Sequence, residues 1–575
     1  MIERADVRFG LFYEHQLPRP HPPEAEERLL MDALEQVELA DRVGLHSIWE
    51  VEHHFLEEYS HSSAPEVFLA AASQRTRNIR LGHGIVQMPP GYNHPARVAE
   101  RIATLDLVSN GRVEFGTGES SSQAELGGFG VDRALKRQQW EEALDVAVRL
   151  LVEEPFAGHH GRFVDMPPRN LVPKSKQKPH PPLWVACSRR DTILLAARKG
   201  IGALSFSFIE PEEAKQWVDE YYQLIQSEQC VPAGYSVNPN VAVVVPFMCH
   251  SDEETAIERG IDGAHFFGFS LAHYYVFGEH QPGRTNVWQE FERDRVQRGF
   301  ARELVQATDA PLGVRLLQET MGSLRGAIGT PTQVRELLER YEAAGVDEVI
   351  FVSQAGRNKH EHICESIELF AQEVFPHFEV RRAAREADKR ERLAAAIDRA
   401  LARRPKAPPA PTNYTILPDH EPWHVASTNG RNSHAAAEHR NLAQSAFTWL
   451  VSGRSDAQLE WIFSSTPGQA LIFRGMQRAF LPERAVGVRG TVQYEVRGRR
   501  GTQHWVLRIA DQRLVVEQAR EPRPTVTFRL PAAILARMAA GQTTAGAAAM
   551  LGKLQIEGDL KLAAKLGEML GRDPR

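Results

Sequence analysis

Two histidines and two carboxylates stand together near the start of the chain. Glu50, Glu52, His53 and His54 follow the apolar run 47–49, whose composition predicts a β-strand. Histidine changes charge near neutral pH, so it is well suited to move a proton at a reacting centre. Enzymes built on parallel α/β barrels place such groups at the carboxyl ends of their strands. The segment therefore predicts an active site.

The overall composition indicates an ordinary globular protein. Of the 575 residues, 42% are hydrophobic and 25% are charged, and the net charge of -6 gives no general attraction to nucleic acid. The four cysteines lie far apart without CxxC spacing, which argues against a disulfide framework or structural zinc. The N-terminus lacks a signal-peptide pattern, and no window approaches the roughly 20 apolar residues of a membrane span. We expect a soluble, cytoplasmic protein.

Short apolar runs alternate with segments of helical period over the first two thirds of the chain. This alternation is typical of βα units and a parallel sheet. Eight strands are predicted, at 7–13, 47–51, 79–86, 112–116, 183–187, 203–208, 241–249 and 348–353. The pattern predicts an α/β fold, the (β/α)8 barrel. The segment 264–321 does not fit one βα unit and is interpreted as an insertion of aromatic-rich helices, a cover for the site or a subunit contact.

The composition changes after residue 378. A basic, alanine-rich helix is predicted at 380–404 and interpreted as solvated, because acidic residues are interleaved with the basic ones. A proline-rich spacer follows at 405–411. We therefore predict a barrel over 1–378, a charged helix and linker over 379–440, and a smaller α+β domain over 441–575.

The last domain carries period-2 strands at 486–496, 504–510, 513–518 and 525–530. Their alternate apolar residues form a core by default, and they line a lipid cavity only if the packing leaves a void. The sequence leaves both interpretations open. These residues are Trp505, Leu507, Ile509, Leu514, Val516 and Phe528.

Two sets of ordered motifs resemble known families. The first resembles the bacterial luciferase-like family of flavin-dependent monooxygenases over about residues 5–378, and the second resembles the sterol carrier protein 2 family over about residues 450–571. The first set comprises 49–55, 93–95, 111–116, 129–131, 183–186 and 344–347. The second comprises 490–496, 505–507 and above all 552–559.

The first resemblance implies a barrel that binds reduced FMN, or F420 in some branches, at the carboxyl ends of its strands. It also implies a separate NAD(P)H-dependent flavin reductase, a homodimer, and insertion of one oxygen atom from O2 into an apolar aldehyde, alkane or terpene. The second resemblance implies a module that binds lipid or another apolar ligand. Two alternatives remain: an F420-dependent hydride-transfer oxidoreductase, and a flavin- or lipid-binding protein without turnover.

The luciferase-like resemblance also assigns roles to residues after the second and third strands. His53 is expected to be the general acid or base, with Glu52 and His54 shaping its surroundings; the alternative is a histidine that only caps a strand. His94 is expected near the flavin, or at an ordinary helix entry. Gly84 and Ile85 are the candidate for a non-prolyl cis peptide under the flavin ring, with an ordinary strand as the alternative.

The loop after the fourth strand departs from bacterial luciferase. That protein has a cysteine and a phosphate-binding arginine where this chain has Gly118 and Glu119. Gly116, Gly118, Glu119 and Ser120 are still expected near the cofactor, with Glu119 directed at substrate, a flavin edge or an arginine of the chain.

The flavin phosphate is instead expected at a helix start after the fifth strand, on Ser188 and Arg189. The alternative is that Ser188 is only an N-cap and the arginine is solvated. No metal is predicted, because His53 and His54 on a strand point to opposite faces.

Overall fold

Eight parallel strands close into a barrel in the first part of the chain. The computed structural model describes residues 7–206, 210–300, 314–316, 321–416, 447, 450–451, 454–499, 501–540, 542–543 and 545–570. The barrel strands are β1 (Arg8–Tyr13), β2 (Ser47–Glu50), β3 (Arg80–His83), β5 (Val113–Gly118), β8 (Leu183–Cys187), β9 (Gly202–Ser205), β10 (Val241–Cys249) and β14 (Glu348–Gln354). Each strand pairs in parallel with its neighbours, and the pairing of β9 with β10 closes the ring. All eight predicted strands are present, so the (β/α)8 prediction is confirmed.

Amphipathic helices cover the outside of the barrel. In the first of them, Ala33, Val37 and Ala40 recur at helical spacing and are buried, and Gly44 ends the helix with a φ of 92°. Short strands add β4 (Val86–Gln87), the hairpin β6 (His159–His160) and β7 (Asp165–Met166), and β13 (Ala327–Gly329). The helices are α1 (Ala25–Val43), α2 (Pro65–Arg75), α3 (Pro95–Val108), α4 (Gln123–Gly128), α5 (Lys136–Val152), α6 (Arg190–Arg198), α7 (Pro211–Gln226), α8 (Glu253–Ala272), α9 (Val287–Asp294), α10 (Pro331–Ala344) and α11 (His360–Glu373).

Two tryptophans fill the barrel interior beside two glycines. Trp49 and Trp184 meet edge to face, with ring centroids 5.2 Å apart. A Cβ atom on Gly82 would lie 2.4 Å from the Trp49 ring, and one on Gly202 would lie 2.4 Å from the Trp184 ring. Glycine at these positions therefore makes room for the two indoles, which form a solid floor beneath the carboxyl ends of the strands.

The predicted insertion is only partly helical. Helix α8 continues past residue 264 to Ala272 and runs into a π-helix, His273–Phe277, before α9. Two strands follow, β11 (Val314–Leu316) and β12 (Met321–Leu324), which pair antiparallel. The stretches 301–313 and 317–320 lie outside the described residues. The interpretation of the whole insertion as helical is therefore wrong at these strands.

The basic helix is longer than predicted, and one face of it is buried. Helix α12 spans Phe375–Arg403. Leu393, Ala396 and Ala400 are buried. They recur at helical spacing among charged residues and form a narrow apolar stripe. Composition alone therefore does not separate this partly buried helix from a fully solvated one. The solvated interpretation is wrong for this face, since α12 packs on the barrel through α7 and α11.

A buried ion pair joins α12 to the base of the barrel. The Lys389 ammonium contacts Asp347 Oδ1 and donates to Asn240 Oδ1 at 2.7 Å. The other carboxylate oxygen of Asp347 accepts from Val241 N at 2.7 Å and from Tyr222 OH at 2.6 Å. Burial lowers the pKa of Lys389, and Asp347 counteracts that effect. The charge of the buried lysine is thus balanced by Asp347, which compensates for the loss of solvation.

The chain forms two compact units, Met1–Val425 and Ala426–Arg575. The boundary falls among residues outside the described ranges, so the predicted limits at 378 and 440 stay predictions. The second unit has a five-stranded sheet with the strands β15 (Gly490–Gly498), β16 (Gly501–Ala510), β17 (Arg513–Glu517), β18 (Val526–Pro531) and β19 (Gln555–Gly558). Their order is β17-β16-β15-β18-β19, and only β15 and β18 are parallel. Its helices are α13 (Asp456–Phe463), α14 (Thr466–Ala479), α15 (Ala532–Ala539), α16 (Ala545–Met550) and α17 (Leu560–Met569).

The apolar face of this sheet packs against the helices of the same unit. Trp505, Leu507 and Phe528 are buried, and Phe473 of α14 stacks on Trp505 with ring centroids 4.8 Å apart. The predicted alternation is confirmed at these positions, whereas Val516 is only partly buried. None of the helices in the described part of either unit is long and apolar enough to cross a bilayer.

Replacing Lys389 with methionine is expected to lower the free energy of unfolding of the first unit by ~3 kcal/mol, because Asp347 would remain buried without its closest positive charge. Urea denaturation followed by circular dichroism measures this loss. The double variant K389M/D347N should recover about half of it. An equal loss in K406M, which changes an exposed lysine, would contradict the role of the pair.

Candidate active site

A closed loop after β2 holds His53 at the carboxyl ends of the strands. The loop comprises residues 51–62 and is called the His53 loop below; its ends are joined by a hydrogen bond from His53 N to Ser62 O of 2.8 Å. The imidazole lies between two carboxylates from other segments. Nδ1 is 2.9 Å from Glu125 Oε1, and Nε2 is 3.6 Å from Glu14 Oε2. Glu14 directly follows β1, and Glu125 lies in α4, so three segments of the barrel rim meet at one ring.

Glu125 is held as an anion by several donors. Its Oε1 accepts from Gln87 Nε2 at 2.7 Å and from His54 N at 3.0 Å, and its Oε2 accepts from Ser120 Oγ at 2.8 Å. Burial alone would raise the pKa of Glu125. The charge of His53 and the bonds from His53, Ser120 and Gln87 outweigh burial, and the pKa is lowered.

Glu14 has the opposite balance. Burial raises its pKa to about 7, although the charge of His53 and the hydrogen bond from Tyr59 OH, at 2.8 Å, both lower it. For His53, burial lowers the pKa, but Glu14 and Glu125 together outweigh burial and raise it to about 9. The cluster therefore keeps His53 protonated near neutral pH, with a neighbouring carboxyl that titrates in the same range.

Glu52 and His54 belong to a second network beside the first. Glu52 Oε1 lies 3.2 Å from His54 Nε2 and accepts from Asn93 Nδ2 at 2.8 Å, while Glu52 Oε2 accepts from Gln87 N at 2.8 Å. The His54 ring packs edge-on against Phe129 at 4.9 Å. Gln87 bonds to both Glu52 and Glu125 and links the two networks.

The segment predicted to carry a cis peptide is a bend between β3 and β4. The cis peptide bonds of the described residues all precede proline, and Gly84–Ile85 is not among them. Gly84 N donates to Glu50 O at 2.7 Å, and the chain continues into β4 in the usual trans form. The cis prediction is therefore wrong, because a trans chain already satisfies this backbone.

Gly116 and Gly118 are required by strand packing. A Cβ atom on Gly116 would lie 1.9 Å from the carbonyl oxygen of His83, and one on Gly118 would lie 2.6 Å from the Ile85 side chain. These glycines let β5 approach the chain between β3 and β4. Their proposed contact with a cofactor stays a prediction.

His94 caps α3. Its Nδ1 accepts from Ala96 N at 3.2 Å and the residue is exposed, as the helix-entry alternative describes. Its role near a flavin stays a prediction.

Glu119 is paired with an arginine, one of the three expected directions. Arg137 Nη2 lies 2.6 Å from Glu119 Oε1, and Lys136 Nζ contacts Ser120 O. Sequence reasoning missed Arg137 and Lys136. The available signal was two basic residues in the first turn of α5, where the helix dipole disfavours cations unless an anion is close.

Ser188 and Arg189 lie on the same rim, after β8. Helix α6 begins at Arg190 with Arg189 as its N-cap, so the alternative that Ser188 caps the helix is wrong. The Arg189 side chain is exposed and lies 3.2 Å from Asp191. Burial lowers the pKa of Lys136, and the charges of Arg137, Arg133 and Arg189 lower it further despite Glu119. This part of the rim therefore has a local excess of positive charge.

Several buried polar atoms on the rim have no hydrogen-bond partner in the described structure. They are Glu14 Oε2, Gln87 Oε1 and Ser122 Oγ. Buried polar groups are normally satisfied, so such atoms indicate a place for a bound polar molecule. Among the described residues, no group of three or more His, Cys, Asp or Glu side chains is arranged to hold a metal ion.

Glu14→Gln is expected to lower the pKa of His53 from about 9, because one of its two carboxylates is lost. The ¹³Cε1 shift of histidine-labelled protein reports this midpoint, with His53→Gln as the assignment control. Folding raises the pKa of His53, so its protonated form contributes stability that is fully present below pH ~6.5. That stabilisation is lost as the pH rises through about 9. An unchanged midpoint in E14Q would contradict the pairing.

Comparison with known proteins identifies a family for each of two regions of the chain. Residues 7–348 match the model of the luciferase-like monooxygenase family, and residues 472–571 match the SCP-2 sterol transfer family. Protein y4vJ of Sinorhizobium fredii is 33% identical over 172 residues, which are 30% of this chain and 48% of that protein. The chain thus spans about half the length of the first curated relatives it matches.

A longer match is the oxygenase component of the flavin-dependent trigonelline monooxygenase of Acinetobacter baylyi. It is 26% identical over 383 residues, covering 65% of this chain and 96% of that protein. The crystal structure of monooxygenase RslO1 from Streptomyces bottropensis has the same fold, with a TM-score of 0.51 and 24% identity over 65% of this chain and all of that one. The family model covers more than half of the sequence, and the chain belongs to the luciferase-like monooxygenase family.

Proposed function

We propose that the first unit is a monooxygenase that uses reduced FMN and inserts one oxygen atom from O2 into an apolar organic substrate. The observation that carries this proposal is the position of His53 between Glu14 and Glu125, at the carboxyl ends of a barrel of this family. A partly buried imidazole beside a carboxyl that titrates near pH 7 is suited to giving and taking a proton during turnover.

The rim fits a flavin phosphate in two respects. Lys136, Arg137 and Arg189 leave it with excess positive charge, and Ser122 Oγ is buried without a partner. The residues that would hold FMN are Gly116, Gly118 and Ser120 along the ring side, with Lys136, Ser188 and Arg189 at the phosphate. When bound, reduced FMN supplies the electrons that activate oxygen.

The residues around His53 would exclude water and accept an apolar substrate. Phe12 packs against Phe206 at 5.2 Å and against Phe267 at 6.5 Å, and Tyr59 packs against Phe267 at 5.8 Å. Tyr59 also donates to Glu14, so the aromatic wall and the titrating carboxyl adjoin. His53 would hold a proton on Nε2, the nitrogen that faces Glu14, and Glu125 would fix the ring through Nδ1.

The names of two relatives support proposals about the flavin reductase and the substrate. One is named as an oxygenase component, which favours a separate flavin reductase for this chain too. Another is the limonene 1,2-monooxygenase of Rhodococcus erythropolis, 43% identical over 121 residues, which are 21% of this chain and 30% of that protein. We propose a terpene-like or other apolar substrate on this basis. A homodimer and a cytoplasmic location are further proposals.

The second unit is proposed to hold an apolar ligand, on the strength of its match to the SCP-2 sterol transfer family. In its described core, Phe473 stacks on Trp505. Displacement of a fluorescent fatty acid from the full chain tests this, and no saturable binding would overturn it.

Lys136→Met and Arg189→Ala are each expected to weaken FMN binding about tenfold, because each removes a charged contact to phosphate. Riboflavin, which has no phosphate, should bind both variants as it binds the original chain. Fluorescence titration with the two ligands measures the difference, and K215M, which changes an exposed lysine on α7, is the control. An equal loss for riboflavin would contradict the placement of the phosphate.

Measurements of O2 consumption and product formation test the proposed monooxygenase activity. The full chain, supplied with reduced FMN by an NADH-dependent reductase, is expected to consume O2 and oxygenate limonene or a related terpene. His53→Ala should still bind FMN but lose at least ~100-fold in product formation. Tight binding of F420 without FMN binding would favour hydride transfer, and no oxygen consumption with any apolar probe would favour a binding protein.

A further inference from the structure

Two neighbouring carboxylates at the tip of the His53 loop hold a segment that is distant in sequence. That segment comprises residues 273–294, the π-helix, the loop after it and α9, and is called the roof segment. Glu58 is almost fully buried, with 1% of its surface exposed. Its Oε1 accepts from Val287 N at 2.6 Å, and its Oε2 accepts from Trp288 N at 3.1 Å. These are the first two amides of α9, so Glu58 caps that helix from outside the segment.

Glu57 holds the other half of the roof segment. Its Oε1 accepts from Gly283 N at 2.8 Å and lies 3.1 Å from His280 Nε2. Its Oε2 lies 2.7 Å from Arg19 Nη2. Arg19 in turn donates from its backbone to Glu58 Oε2 at 2.9 Å and from Nη1 to Thr285 O at 3.0 Å. The tip of the loop, Arg19 and the roof segment form one polar joint.

The joint fixes a strained part of the His53 loop. Phe55 and Glu57 have φ angles of 64° and 32°, which are uncommon for residues other than glycine. Such conformations persist where the surroundings over-determine them. The loop is also closed at its base by the bond between His53 N and Ser62 O. The tip and His53 thus belong to one closed loop.

The roof segment also contacts residues next to His53, Glu14 and Glu125, which are called the proton-handling cluster below. Tyr274 of the π-helix packs against Tyr59 with ring centroids 6.3 Å apart, and Tyr59 donates to Glu14. The π-helix also packs against α4, which carries Glu125. Trp288 and Phe291 of α9 are buried against Phe266 of α8. The roof segment thus contacts α4, which carries Glu125, and Tyr59, which donates a hydrogen bond to Glu14.

We propose that Glu58, supported by Glu57, is a positioning residue that fixes the roof segment and the His53 loop relative to one another, so that the substrate side of the site and the proton-handling cluster keep a single geometry. The role in turnover rests on the proposed function. The mechanical coupling does not, because it follows from the hydrogen bonds alone.

The test is Glu58→Gln in the full chain, with Glu292→Gln as the matched control. The amide side chain of E58Q would offer one acceptor oxygen where the carboxylate offers two, whereas Glu292 is an exposed carboxylate on α9 itself. Hydrogen exchange read by mass spectrometry is expected to be about tenfold faster in peptides covering 283–288 of E58Q. Peptides covering 51–62 should accelerate with them, while those of α1 and α3 should not change.

Function supplies a second, separate readout. FMN affinity of E58Q should stay within about twofold of the original chain, while the hydrogen peroxide released per O2 consumed should rise severalfold, because the site no longer excludes water. Faster exchange in 283–288 with no change in 51–62 would overturn the coupling. If the original chain consumes no O2, the proposed function fails, and the exchange result still decides the coupling.

A variant with a milder change guards against misfolding. Glu57→Gln removes a charge at a half-buried position and should accelerate exchange at Gly283 and in the His53 loop by a smaller factor. A uniform acceleration across the barrel in both variants would mean a general loss of stability, and would overturn a positioning role.

Discussion

A charge buried in a protein must be balanced at close range, and the rim of this barrel is organised around one such balance. His53 keeps its proton because Glu14 and Glu125 face its two nitrogens. Each carboxylate in turn accepts hydrogen bonds. Tyr59 donates to Glu14, and Gln87 and Ser120 donate to Glu125. Only a closed ring of parallel strands brings these segments to one place, so the fold is a precondition of the protonation state.

The same balance separates the two carboxylates chemically. Glu125 receives donors on both oxygens and its pKa is lowered, while Glu14 Oε2 faces His53 at 3.6 Å without a hydrogen bond and the pKa of Glu14 is raised to about 7. Two identical functional groups on either side of one ring thus have different tasks. Glu125 orients the imidazole through Nδ1, and Glu14 is the carboxyl whose pKa is raised to about 7.

The sequence is sufficient for the architecture and for the position of His53. Alternation places all eight barrel strands, and the histidines predicted to follow the second strand do follow β2. Glu14 and Glu125 escape sequence reasoning because no local pattern connects residues that only the closed barrel brings together. The burial of one face of α12 escapes it for a similar reason, since Leu393, Ala396 and Ala400 form a narrow apolar stripe among many charges. The trans bond after Gly84 shows that a family expectation cannot replace backbone geometry.

The indoles beneath the rim have a consequence for how this chain can vary. Trp49 occupies the space that any side chain at position 82 would need, and Trp184 does the same at position 202. A mutation at either glycine is therefore excluded unless the tryptophan opposite becomes smaller in the same lineage. In homologous chains, the two residues of each pair should either both stay the same or both change. Covariation between positions 49 and 82 would then indicate a barrel whose interior is packed differently.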